Sequence, residues 1–303
     1  MKAKVLEVSI RPLVEVRAVV TPHASTRDLL AHFDFKTQAI LRRYGPGPRV
    51  HYHAGLVDEP PAQNAPGHVL RRTLVDAQER IMSLAAEHWD ASSTLCGDVL
   101  DVGCGLGGGA IFWAQEFGAR VTAVTCIPSH IDYVTRFAAN GGVASQVQAL
   151  LCDASEVPGD NRFDAAVAVE AACYLVRKPW FQRVASLLRP GGRLFIVDCF
   201  LVQSDYAEPF DRYWHTRIGT IAEYLAAAEE AGLQAELFED ISHRTEHFWT
   251  TTQALIEAEA RDHELSSAEV ARYEASLRAH ALIRQGLVTD GLRYGITSFA
   301  KRR

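Results

Sequence analysis

Two kinds of apolar block alternate along this chain. Continuous apolar stretches of strand length occur at residues 99–102, 120–126, 147–152, 163–169, 193–201, 233–241 and 291–300. Between them lie stretches with helical spacing. One opens at Ala110-Ile-Phe-Trp-Ala114, one at Ile127-Pro-Ser-His130, and others span residues 208–216, 220–231, 245–263 and 267–285. This strand–helix alternation predicts an α/β architecture. Ahead of it, residues 26–44 carry Leu29, Leu30, Phe33, Ile40 and Leu41 at mostly helical spacing, broken by Gly45-Pro-Gly-Pro48. A polar, proline-rich loop covers residues 51–67. An amphipathic helix is expected over residues 68–89, through Leu70, Leu74, Ala77, Ile81, Leu84 and Ala85. The chain therefore divides into an N-terminal helical extension, residues 1–94, and a core, residues 95–303, with a helical insertion near 245–286. The extension reads either as a lid over a ligand pocket or as packing for the core.

The first strand runs into Val99-Leu-Asp-Val-Gly-Cys-Gly-Leu-Gly-Gly108, a glycine-rich turn with Asp101 just before its first glycine. Glycines let a backbone turn sharply and approach a ligand closely. Gly103, Gly105 and Gly108 fit the spacing of a dinucleotide fingerprint, which expects a carboxylate for the ribose at the end of the second strand. That strand ends in Thr125-Cys126 instead. The third strand leads into Asp153-Ala154-Ser155, where a carboxylate suits the exocyclic amine of an adenine. The fourth ends in Glu170.

On these residues the chain resembles the class I S-adenosylmethionine-dependent methyltransferases. Asp101-Val-Gly-Cys-Gly105 looks like their first motif, and Leu188-Arg-Pro-Gly-Gly-Arg-Leu-Phe-Ile196 looks like the turn and strand late in their core. The resemblance covers residues 95–237 and the final strand. It implies a Rossmann-like seven-stranded sheet with helices on both faces. It also implies S-adenosyl-L-methionine as cofactor, with contacts from Asp101, Gly103, Gly105, Thr125, Cys126, Asp153 and Ala154. A nicotinamide enzyme and a non-catalytic adenosyl-binding scaffold are the rival readings.

Composition narrows the partners. The net charge is −6, and 48% of residues are hydrophobic, enough for a full core. An acidic balance argues against a nucleic-acid partner, which needs a basic face. No apolar run is long enough to span a membrane and no secretory leader is read, so a cytoplasmic protein without membrane insertion is expected. Six cysteines (Cys96, Cys104, Cys126, Cys152, Cys173, Cys199) are scattered without a Cys-x-x-Cys pair, and are expected as buried free thiols.

The chemistry turns on Glu170. Following the apolar run Val167-Ala-Val169, it stands at the carboxyl edge of the sheet, where open α/β folds bind ligands. There it reads either as a base in a poorly solvated site or as a cap for the following helix. An alkene acceptor attacks through its π bond and leaves a carbocation. That cation needs aromatic faces, exclusion of water and a carboxylate to remove a proton. Tyr174, Trp180, Phe200, Phe210, Tyr213, Trp214, Phe248 and Trp249 are candidates for such a wall, and Tyr174 is expected on one helical face with Glu170.

Glu170-Ala-Ala-Cys-Tyr174 looks like the glutamate segment of methyltransferases that alkylate carbon–carbon double bonds. His51-Tyr-His53 looks like the aromatic segment these enzymes place over the cofactor, giving Tyr52 a cofactor contact. Thr125-Cys-Ile-Pro-Ser-His130 is similar to their ribose-side loop, which commonly carries Gln where His130 stands. A narrower resemblance is to bacterial geranyl or farnesyl diphosphate C-methyltransferases. It implies an isoprenoid diphosphate substrate, Mg²⁺ bound with the diphosphate, and a homo-oligomer. Basic candidates for the diphosphate are Arg27, Arg71, Arg72 and His243, and Tyr174 and Trp214 are assigned to the isoprenoid chain. The metal ligands stay unassigned. A small-molecule O- or N-methyltransferase is the alternative.

Overall fold

The computed structural model describes residues 26–261 and 266–302. Seven strands form one sheet: β1 (Asp98–Val102), β2 (Arg120–Thr125), β3 (Val147–Leu151), β4 (Phe163–Val169), β5 (Leu188–Leu201), β6 (Leu233–Asp240) and β7 (Leu292–Lys301). Their order is β3-β2-β1-β4-β5-β7-β6. The pairs from β3 through to β5 are parallel, and β7 runs antiparallel to both its neighbours. The Rossmann-like sheet expected from the sequence is thus present. Chain order reverses between β1 and β4, and the crevice at such a reversal is where open α/β sheets bind ligands. Both the glycine turn after β1 and Glu170 after β4 open onto it.

Two apolar layers cover the sheet. One holds Trp180 and Phe181 from α6 (Arg177–Leu187) and Tyr224 from α8 (Ile221–Glu230). The other joins α4 (Gly108–Phe117) and α5 (Pro128–Asn140), after β1 and β2, to α1 (Thr26–Tyr44), α2 (Gly67–His88) and α3 (Ala91–Thr94). It also includes α7 (Ala207–Trp214), α9 (Ser242–Arg261) and α10 (Ser267–Val288). Ala165, Ala166 and Ala168 in β4 are fully buried, and their small side chains let both layers approach the middle of the sheet. Capping boxes at Thr220–Glu223 and Ser266–Glu269 start α8 and α10. Among the described residues no helix is long and apolar enough to cross a membrane.

Some boundaries differ from the sequence reading. β5 starts at Leu188 and passes through Pro190-Gly191-Gly192, with a register break against β4 between Phe163 and Ala165. α6 lacked a sequence signal strong enough to mark it. The expected helix over 245–263 begins earlier, at Ser242, and its last two positions lie outside the described residues.

The described part of the extension is fastened to the core. Arg49 pairs with Glu79 of α2 at 3.1 Å and with Glu116 of α4, and His51 Nε2 lies 3.0 Å from Glu79. Arg43 of α1 reaches Glu259 of α9 at 2.8 Å. The Leu56 amide donates to the Ala77 carbonyl at 3.0 Å, and a Cβ on Gly55 would stand 2.5 Å from the Ala77 carbonyl carbon. Gly55→Ala is therefore expected to lift this loop off α2 and lower stability by roughly 1–3 kcal/mol, read as a lower urea midpoint.

Candidate active site

The glycine turn forms the floor of a cavity of about 470 Å³ at the carboxyl ends of the central strands. Gly103 takes φ +68°, and a Cβ there would sit 2.6 Å from that of Ala171. Gly105 takes φ +53° and would meet nothing within 4 Å, so it leaves bare backbone facing the cavity. Both positions need glycine, for different reasons. Asp101 at the end of β1 is buried, and its Oδ2 has no hydrogen-bond partner among the described residues. Burial lifts its carboxyl to about pKa 7, opposed by the amide of Ala110.

Thr125, Cys126, His130, Asp153, Ala154 and Tyr52 line the same cavity. Thr125 Oγ1 accepts the Ile127 amide at 3.1 Å, which shapes the turn after β2. Asp153 accepts the Ser155 amide and hydroxyl at 2.8 and 2.6 Å, fixing the turn after β3. His130 Nε2 lies 3.0 Å from Thr37 Oγ1. The Thr37 hydroxyl already donates to Phe33 O at 2.7 Å, so His130 donates to Thr37 and ties this side of the cavity to α1.

Glu170 sits at the opposite wall. Its amide extends the sheet by donating to Val197 O at 2.7 Å, but its φ is +46°. A left-handed conformation is costly for a side-chain-bearing residue and holds only where surroundings enforce it. Two donors meet at Oε1: the Ala54 amide at 2.6 Å, from the extension, and the Tyr294 hydroxyl, from β7. Oε2 has no hydrogen-bond partner among the described residues. Burial raises the carboxyl to about pKa 7, against both hydrogen bonds and helped by the nearby charge of Asp198.

The segment after Glu170 is a single 3-10 turn, Ala172–Tyr174, and α6 starts only at Arg177. Glu170 therefore caps no helix, and Tyr174 shares no helical face with it, although Tyr174 does line the cavity. Asp198 on β5 pins this turn, accepting the Cys173 amide at 2.9 Å and the Cys199 amide at 2.8 Å.

Of the aromatic residues expected in the wall, Phe210 and Trp214 from α7, Phe248 and Trp249 from α9, Trp180 from α6 and Tyr174 line the cavity. Tyr213 and Phe200 lie outside the lining. Phe200 packs in the layer with α6 and α8. Arg71, Arg72 and His243 also stand away from the cavity. α2 buries Leu70, Leu74 and Ala77, which leaves Arg72 in solvent, paired with Asp76 at 3.0 Å. His243 is exposed in the first turn of α9. The side chain of Arg27 lies outside the described residues. Arg217 is the one Arg or Lys among the described lining residues.

Tyr294, Asp198 and His280 escaped the sequence reading. The first two are polar residues inside apolar strands, a detectable signal, whereas His280 lies in a helix whose apolar residues mark no clear face in the sequence. Cys104, Cys126, Cys152, Cys173 and Cys199 also line the cavity as free thiols. Burial pushes each of them up from its usual pKa.

Comparison with known proteins now decides the family. The profile of the family described as "Methyltransferase domain" matches residues 99–192. The chain is 31% identical over 189 residues to the 27-O-demethylrifamycin SV methyltransferase of Amycolatopsis mediterranei, covering 59% of this chain and 69% of that protein. The chain belongs to the class I S-adenosylmethionine-dependent methyltransferases.

A second relative of this methyltransferase is a sterol 24-C-methyltransferase of Gibberella zeae, 30% identical over 159 residues, 48% of this chain and 42% of that one. The chain thus spans from under half to about two thirds of the length of these relatives. In fold, the methyltransferase matches the geranyl diphosphate C-methyltransferase of Streptomyces coelicolor A3(2), with TM-score 0.75 and 18% identity, over 94% of this chain and 100% of that one.

S-adenosylmethionine fits the cavity. Its ammonium calls for a carboxylate, and Asp101 Oδ2 is buried and unpartnered. Its chain calls for close backbone approach, which Gly103 and Gly105 allow. Among the described residues no group of three or more His, Cys, Asp or Glu is placed to hold a metal ion; the expected Mg²⁺, bound with a diphosphate and water, does not depend on such a group. Asp101→Asn is expected to weaken S-adenosylhomocysteine binding roughly 10- to 100-fold, the scale of one charge-assisted hydrogen bond, as titration calorimetry would measure.

Proposed function

We propose that this methyltransferase alkylates an alkene carbon of an isoprenoid, with Glu170 as the base that restores a double bond. The observation carrying the reading is the held carboxyl of Glu170 in a cavity walled by aromatic rings. S-adenosylmethionine supplies a methyl group made electrophilic by its sulfonium. Asp101, Gly103 and Gly105 would hold its amino-acid end, Thr125 and Cys126 the ribose side, and Asp153 with Ala154 the adenine. Tyr52 and His130 would close over it.

The alkene's π electrons form the new carbon–carbon bond as the sulfur–methyl pair returns to sulfur. The tertiary cation left behind is stabilised by aromatic faces such as Trp214 and Trp249. Glu170 Oε2 then takes a proton from a neighbouring carbon, and that C–H pair becomes the new double bond. Tyr294 and the Ala54 amide hold the carboxyl in place and favour its ionised form, while burial keeps it basic enough to act.

Geranyl and farnesyl diphosphates are the first acceptors to try, because the fold neighbour from S. coelicolor was solved with a geranyl diphosphate analogue. Arg217 would face the diphosphate. Burial and the repulsion of Arg177 lower its pKa and the nearby Asp211 raises it; a bound diphosphate would add to that attraction. No step is assigned to magnesium.

The test incubates the protein with methyl-¹³C S-adenosylmethionine and each acceptor, with Mg²⁺ present and absent. Carbon NMR then separates C–CH₃ from O–CH₃ products. A C-methyl product supports the reading. An O-methyl product made equally well by Glu170→Gln overturns it. Glu170→Gln is expected to lower kcat by about 10²- to 10⁴-fold while S-adenosylhomocysteine still binds.

The ionised form of Glu170 is the active one, so the rate should rise with pH through about 7. The Tyr294 hydroxyl stabilises the anion. Removing it raises the carboxyl's pKa, and in Tyr294→Phe the acid limb of kcat/KM should move to higher pH.

A further inference from the structure

The insertion end of the cavity holds a polar group that hydrocarbon chemistry leaves unused. His280 of α10 is 5% exposed and lines the cavity. Its Nδ1 lies 2.6 Å from the Ser276 carbonyl, one helical turn back. A carbonyl can only accept, so Nδ1 carries the proton and Nε2 presents a lone pair. Burial lowers the imidazole to about pKa 3, helped by the charges of Arg43 and Lys36, so the ring stays neutral. Nε2 has no hydrogen-bond partner among the described residues.

Two indoles flank the ring. Trp214 and Trp249 each stand 5.5 Å from His280 between ring centroids, and each line the cavity. Their rings give this end of the cavity an aromatic wall around one bare acceptor. A purely hydrocarbon ligand would leave that acceptor unpaired, and an unpaired buried polar group costs about 1–3 kcal/mol. A hydroxyl can donate to it.

We propose that His280, with Trp214 and Trp249 beside it, forms a subsite that reads a hydroxyl on the acceptor, with the hydroxyl proton donated to His280 Nε2. The acceptor class is then an isoprenoid alcohol rather than a bare hydrocarbon chain or the diphosphates to be tried first. The proposal rests on the isoprenoid reading above and adds a specificity element to it.

Binding tests it without turnover. Protein saturated with S-adenosylhomocysteine is titrated with farnesol, its methyl ether and farnesene, three probes of one chain length, followed by tryptophan fluorescence. The ether accepts but cannot donate, and farnesene does neither. Farnesol is expected to bind about tenfold tighter than the ether, the scale of one hydrogen bond. His280→Phe should erase that preference, and His280→Gln, which keeps an acceptor, should retain most of it. Binding of S-adenosylhomocysteine shows that each variant is folded.

Equal affinity for farnesol and its ether in the parent protein overturns the hydroxyl subsite, as does a preference that survives His280→Phe. Failure of all three probes, with S-adenosylhomocysteine still bound, overturns the subsite; the isoprenoid reading falls with it only if geranyl and farnesyl diphosphates also fail to bind. Equal binding of the probes overturns the subsite alone.

Discussion

A single oxygen, Oε1 of Glu170, gathers three distant parts of the chain. β4 delivers it at the reversal point of the sheet, the extension supplies the Ala54 amide, and β7 supplies the Tyr294 hydroxyl. Without those donors a carboxyl buried there would be held neutral, and a left-handed φ on a glutamate would have nothing to enforce it. The docking of the loop before α2 onto α2, the antiparallel placement of β7 and the Asp198 clamp on the following turn all bear on this one position. The extension thus packs against the core and supplies a donor to this carboxyl. The segment that fills the core beside α2 also sets the carboxyl's surroundings.

The cavity divides electrostatically. On the β1 side the Asp101 carboxyl, bare backbone and a turn-fixed Asp153 suit a polar, positively charged molecule. On the β4 and insertion side, His280 and aromatic faces surround the ionisable groups Glu170, Asp198 and Arg217. A methyl transfer that consumes a sulfonium therefore begins with its positive charge on the polar side.

The half of the site built by local sequence was readable in advance. A glycine turn after a strand and residues at strand ends are fixed by chain direction and by φ. Asp101, Gly103, Gly105, Thr125, Asp153 and Glu170 therefore reach the cavity together. The strands were legible for the same reason, since continuous apolar runs have few other places to go. What composition could not reveal depends on helix rotation and on partners far along the chain. Arg71 and Arg72 resembled an anion clamp until α2 turned Leu70 and Leu74 inward. Tyr294 and His280 acquire meaning only when β7 and α10 fold against the cavity. The helix expected after Glu170 gave way to a 3-10 turn because Asp198 captures the Cys173 amide that would otherwise have continued it.

The thiols that ring the cavity carry one more consequence. A bound sulfonium exposes an electrophilic methyl to every nucleophile in reach, and a thiolate is among the best. Burial, joined by the negative charge of Asp101 at Cys104 and of Asp198 at Cys173 and Cys199, holds these sulfurs in their protonated, weakly nucleophilic form. The same desolvation that raises the Glu170 carboxyl therefore guards these thiols against methylation.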